Sequence, residues 1–101
     1  MGWASRLIEQ LQQGHTVEFR PHGNSMTGKI NSGDLCTVAP IQSDVDLAQG
    51  SVVLCKVRGR EYLHLISAVR GEQYQISNNH GHVNGWVTRR QIYGKLVNVT
   101  R

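Results

Sequence analysis

Six short β-rich runs, "HTVEFRP", "DLCTVAPI", "GSVVLCKV", "EYLHLISAV", "QYQIS" and "IYGKLVNV", constrain this chain more than any other feature. They are divided by "NSGD", "RGRE", "VRGEQ" and "NNHGHVNG", glycine-containing stretches of the kind that reverse a chain between neighbouring strands. Short strands joined by tight turns predict a compact, mainly β, antiparallel domain. Within it, "GSVVLCKVRGREYLHLISAVRGEQYQIS" reads as a meander of three strands with turns at Arg58-Gly59 and Arg70-Gly71. Ahead of the strands, "WASRLIEQLQQG" sets Trp3, Leu7, Ile8 and Leu11 at helical spacing and stops at Gly14. That pattern predicts one short amphipathic helix over about residues 3–13, too short to stand without packing against the strands. The β core is expected over about 17–99. No repeat, linker or low-complexity tract divides it, and 101 residues suffice for a single modest core, so 1–101 is read as one domain.

Composition narrows the function classes. Eleven Lys and Arg against seven Asp and Glu give a net charge of +4, spread along the chain and not gathered into a basic tail or helix. With aromatic residues at 6% and no clustering of rings with basic side chains, a nucleic-acid partner is not expected. No apolar stretch is long enough to cross a bilayer and the first residues lack the pattern of a secretory signal, so no membrane partner and a cytoplasmic location are expected. Cys36 and Cys55 lie in strand-like runs without Cys-x-x-Cys spacing and read as small core residues. His80 and His82 alternate in "NHGHVNG", but a glycine-rich loop without a third ligand reads as an exposed turn, and no metal or other cofactor is expected.

Chemistry concentrates in "RPHGNSMTGKINSGDLCTVAP", where Ser25 sits in a small, polar, glycine-rich loop. A loop serine usually only closes a turn. Alternation through "EYLHLI" places Tyr62, His64 and Ile66 on one strand face, with Leu63 and Leu65 on the other. A serine before one strand and a histidine two elements later can meet across a sheet.

"GNSMTGKINSGDLCTV" resembles the nucleophile box of the signal peptidases and of the self-cleaving domains of LexA-type repressors, with Ser-Met followed by Gly-Asp and a strand. "GSVVLCKVRGREYLHLI" is similar to the strand pair that follows in that superfamily, and "GWVTRRQIYGKLVNV" to its closing segment. The resemblance runs from about Val17 to Val99 and implies a LexA/signal-peptidase-like β fold. It implies that Ser25 attacks a scissile carbonyl. Bacterial members mostly use a lysine base; here the matching position is His64, as in the endoplasmic-reticulum branch, and Lys56, one strand earlier, is the nearest replacement. Histidine suits the task because it titrates near neutrality without the deep desolvation a lysine needs.

The histidine-using branch adds an aspartate before the closing strand, whereas "SNNHGHVNG" carries no carboxylate. Asn78, Asn79, Asp34 or Glu61 could orient the imidazole, or a plain dyad operates. Asp34, after a glycine, is expected chiefly to support the Ser25 loop. Asn24 and the Ser25 N–H are the expected oxyanion donors. Met26 is expected to line a substrate cleft or pack under the loop, His22 to act as a loop donor, and Trp86 and Tyr93 to be core or rim aromatics. No membrane lip and no DNA-binding domain are expected from these residues, so the expected function is that of a serine endopeptidase module cutting an amide bond in a protein substrate or in itself. The alternative is a catalytically silent domain of the same fold that binds a peptide or partner protein. An exposed end strand leaves homodimerisation through a sheet edge open.

Overall fold

The computed structural model describes residues 2–42 and 47–101. A helix α1 (Ser5–Gln12) precedes seven strands, β1 (Val17–Phe19), β2 (Leu35–Pro40), β3 (Val52–Val57), β4 (Arg60–Arg70), β5 (Gln73–Ser77), β6 (Val83–Thr88) and β7 (Ile92–Thr100), with one 3-10 turn at Arg89–Gln91. The strands form one sheet in the order β1-β2-β7-β3-β4-β5-β6, antiparallel at every pairing. The mainly β domain with one N-terminal helix that the sequence predicts is therefore present. Among the described residues no helix is long and apolar enough to cross a membrane.

The meander folds as its turns dictate. Arg58 and Gly59 both adopt positive φ (53° and 81°), which matches the right-handed twist of a two-residue hairpin joining β3 to β4. The second turn falls at Gly71-Glu72, one residue later than expected, with Gly71 supplying the positive φ. Strand β3 is buried on both faces. Val52 and Leu54 enter one apolar cluster with α1, Met26, Ile30, Cys36 and Val38, while Val53, Cys55 and Val57 enter a second with Ile66, Ile76, Val87 and Ile92. Cys36 and Cys55 are free thiols, one in each cluster.

Two expectations are corrected here. The helix expected over about residues 3–13 spans Ser5–Gln12, and Trp3, set at helical spacing with Leu7, Ile8 and Leu11, lies before it and is 56% exposed. Ile8 and Leu11 are buried as their spacing predicts, and Ala4, not Trp3, extends the buried stripe. The cause is tertiary: no local side chain caps the helix, and the carboxylate of Glu61 on β4 accepts the Ala4 N–H at 2.6 Å and the Ser5 hydroxyl at 2.8 Å. At its other end α1 rests on bare backbone, since a Cβ at Gly94 would lie 3.0 Å from Leu11 Cδ1 and 2.5 Å from Val38 Cγ1.

The second correction concerns "NNHGHVNG", expected as a separator between strands: its last residues, from Val83, open the edge strand β6. Gly85 lets this strand curl back until a Cβ there would stand 3.1 Å from Val57 Cγ1 on β3, closing the second cluster. Trp86 faces outward opposite Gln75, 38% exposed, with the Arg70 guanidinium 5.2 Å above its ring. Tyr93 is half-buried against the first cluster.

Candidate active site

Between β1 and β2 the chain makes one helical turn just after Ser25, where the Met26 carbonyl accepts the N–H groups of Lys29 (3.0 Å) and Ile30 (2.8 Å). Met26 and Ile30 are both buried, so the turn is pinned from beneath by the first apolar cluster. Met26 thus packs under the loop and also lines the recess above it. Asp34 accepts the Asn31 N–H at 2.9 Å and the Gly33 N–H donates to the Pro21 carbonyl at 2.9 Å, closing the base of the loop.

From the other side the β5–β6 loop clamps the same turn. Asn79 donates its backbone N–H to the Ser25 carbonyl (2.8 Å) and its side-chain amide to the Thr27 carbonyl (2.9 Å), and His80 donates Nε2–H to the Asn24 carbonyl (2.8 Å). Gly28, at φ 102°, leaves room for this approach: a Cβ would meet Asn79 Nδ2 at 3.2 Å. Asn78 shapes the clamp itself, its Oδ1 accepting the N–H groups of His80 (2.8 Å) and His82 (2.9 Å). These contacts fix where Ser25 stands.

The structure brings His64 to it. His64 pairs with Val53 across the β3–β4 ladder, is 7% exposed, and places Nε2 3.2 Å from Ser25 Oγ. Its Nδ1 lies 2.7 Å from Asn84 Oδ1. An amide oxygen only accepts, so the ring proton sits on Nδ1, and the Nε2 lone pair faces the serine hydroxyl. Tyr62 stacks obliquely beside the imidazole, centroids 4.8 Å apart. Burial lowers the His64 pKa below the usual histidine value; the Asn84 hydrogen bond opposes this and nearby His82 adds to it. The ring therefore stays neutral to more acid pH than a free histidine, and below about pH 6.5 the unfolded chain binds a proton the folded one refuses, so acid erodes stability here.

The residues named from sequence as imidazole orienters lie elsewhere. Asn78 and Asn79 build the clamp, Asp34 supports the loop base, and Glu61 holds the start of α1. Asn84 takes the position they were considered for. It was hidden because "NNHGHVNG" reads as a loop; and even along β6 simple alternation would turn it outward with Trp86, but the β5–β6 register slips there: Ile76 opposes Gly85 and Ser77 opposes Val83, leaving Asn84 as the extra residue of a bulge. A bulge re-aims the side chain it carries. Lys56 pairs with Glu61, three residues along β3 from Val53, and alternation turns it to the face opposite His64, where its ammonium lies 6.0 Å from the Tyr93 ring centroid.

Ser25 and His64 open into a recess of about 350 Å³ whose walls include Trp3, His22, Met26, Ile30, Tyr62 and Leu63. The first half of β4 forms one edge of it. Glu61 through His64 pair with β3, but pairing with β5 begins only at Leu65. The Glu61 carbonyl, turned away from β3, accepts the Trp3 indole N–H at 3.1 Å. In an antiparallel ladder alternate residues turn their backbone groups the same way, so those of Leu63 face the same open side. Among the described residues no group of three or more His, Cys, Asp and Glu side chains is arranged to hold a metal ion. No family model matches the sequence and no curated protein matches it, so the site stands on its own geometry.

Proposed function

We propose that this chain is a serine endopeptidase of the signal-peptidase and LexA-type kind, hydrolysing an amide bond in a protein substrate or in itself. The observation that carries the reading is the line Ser25 Oγ, His64 Nε2, His64 Nδ1, Asn84 Oδ1, with distances of 3.2 Å and 2.7 Å at its two hydrogen bonds. Nucleophile, base and orienting group stand in the order that acyl transfer by serine requires.

His64 Nε2 takes the hydroxyl proton as Ser25 Oγ attacks the scissile carbonyl. The Ser25 N–H and Asn24 hold the developing oxyanion. The imidazolium then gives its proton to the departing amine, and a water, deprotonated by the same nitrogen, releases the acyl group. Asn84 keeps the imidazole in the tautomer this sequence needs, as the asparagine of a Cys-His-Asn site does. Being neutral, it lends the imidazolium less stabilisation than a carboxylate would. The open edge of β4 at Leu63 suits an extended polypeptide, which also supports the second reading, a peptide-binding domain without turnover.

Intact-mass screening of candidate partner proteins with the wild type, Ser25→Ala and His64→Ala separates the two. The proposal expects cleavage by the wild type alone. A partner bound equally by all three proteins and cut by none would leave only the binding domain, and cleavage retained by His64→Ala would remove His64 from the base role.

A further inference from the structure

Beside the Ser25 recess lies a second hollow of about 390 Å³, walled by Trp3, Leu7, Phe19, Arg20, Pro21 and His22. The two share Trp3, Pro21 and His22 in their walls, so they adjoin along these three residues. The Trp3 ring is 56% exposed yet firmly held: its N–H is bonded to the Glu61 carbonyl, it packs at a tilt of 52° against Phe19 with centroids 5.8 Å apart, and the adjacent Ala4 is fully buried and bonded to the Glu61 carboxylate. An exposed indole with so little freedom offers contact area at small entropic cost. The Arg20 guanidinium is tied to the Gly33 carbonyl at 2.8 Å, which leaves its charge at the rim.

We propose that this hollow is a subsite for an apolar side chain, leucine- or phenylalanine-like, of the polypeptide that lies over Ser25, and that Trp3 is a specificity-determining residue. The inference rests on the reading of the site as one that holds a polypeptide; it does not require turnover. A chain laid along the open edge at Leu63 runs into Trp3 at the Glu61 end, because the indole already occupies the Glu61 carbonyl. It must pass the ring there, and the side chain beyond it meets the apolar surfaces of Leu7, Phe19 and Pro21, with His22 and the Gly33-bound Arg20 as the polar members of the wall. Arg20 at the rim disfavours a lysine or arginine.

The sequence has two tryptophans, so Trp86→Phe leaves Trp3 as the sole indole reporter, and Ser25→Ala removes turnover. Two pools of blocked octapeptides are titrated into that double variant, both free of Trp and Tyr, one rich in Leu, Ile and Phe and the other with Ser in their place. The apolar pool is expected to shift Trp3 emission saturably to the blue and to bind about tenfold more tightly, the effect of burying one such side chain. Leu7→Gln, which replaces a side chain half-buried against the first cluster and is therefore compared well below its own melting temperature, should abolish the difference. Retention of each pool on immobilised Trp3→Ala, read by mass spectrometry, checks the same point without the reporter and should show no apolar enrichment.

Equal binding of both pools, or a preference that survives Leu7→Gln and Trp3→Ala, overturns the proposal. So does a blue shift that appears with rising protein concentration and no peptide, which would mean that a second copy covers the hollow. Because the titration uses Ser25→Ala, these outcomes stand apart from the cleavage screen: a failed subsite leaves the peptidase reading intact, and a confirmed subsite does not depend on it.

Discussion

The two apolar clusters differ in how they are assembled. The second is built chiefly from β3 to β6 and the start of β7, strands joined by short hairpins for most of its length, so its members meet neighbours close in sequence. The first brings α1, β1, β2, the turn after Ser25 and the opposite face of β3 and β4 together from distant parts of the chain. Ser25 rides on the first through Met26 and Ile30, whereas His64 shares its strand face with Tyr62 and Ile66, which belong with the second. The candidate site therefore lies on the seam, and its geometry depends on how the two halves are locked. That lock is the clamp from Asn79 and His80 to the Ser25 turn.

The largest effect should follow from emptying the second cluster. Ile76 is fully buried at its centre, and Ile76→Ala should cost about 2–5 kcal/mol in a denaturant melt. The loss should be global, with the Ser25 turn and the sheet unfolding together. A much smaller change comes from Asn79→Ala, which removes the side-chain bond to the Thr27 carbonyl and leaves the backbone bond to Ser25: about 1 kcal/mol at most. Here the change should be local, seen as faster amide exchange at Lys29 and Ile30 while β5 stays protected. An Asn79→Ala protein that melts as early as Ile76→Ala would break the distinction between a self-sufficient wall and a clamped loop.

The same contrast explains what could be read from sequence. Periodicity in "EYLHLI" and the turn residues Arg58-Gly59 act over a few neighbours, and the strand, its two faces and the hairpin follow from them. The local hydrogen bonds of the Ser25 loop, such as Asp34 to Asn31, were equally legible. What was not legible depends on contacts made far along the chain. Trp3 fits a helical stripe by spacing, but Glu61, 57 positions from Ala4, decides where the helix begins. Asn84 lies in a segment with two glycines that reads as loop, and only the bulge opposite Ile76 and Ser77 turns it to His64. Lys56 stands on the string of residues as the nearest replacement for His64 as base; pleating separates the two by a face of the sheet.

The pH dependence of Ser25 modification by a fluorophosphonate, followed by intact mass, tests the pairing of Ser25 with His64 without a known substrate. A single adduct at Ser25 is expected, forming at a rate that rises with the neutral fraction of His64 and levels off with a midpoint below about 6.5, since burial lowers that group's pKa. The adduct should fail to form in His64→Ala. An unmodified Ser25 across the pH range, or a rate that keeps rising into the alkaline range where a lysine loses its proton, would contradict the assignment of His64 as the base.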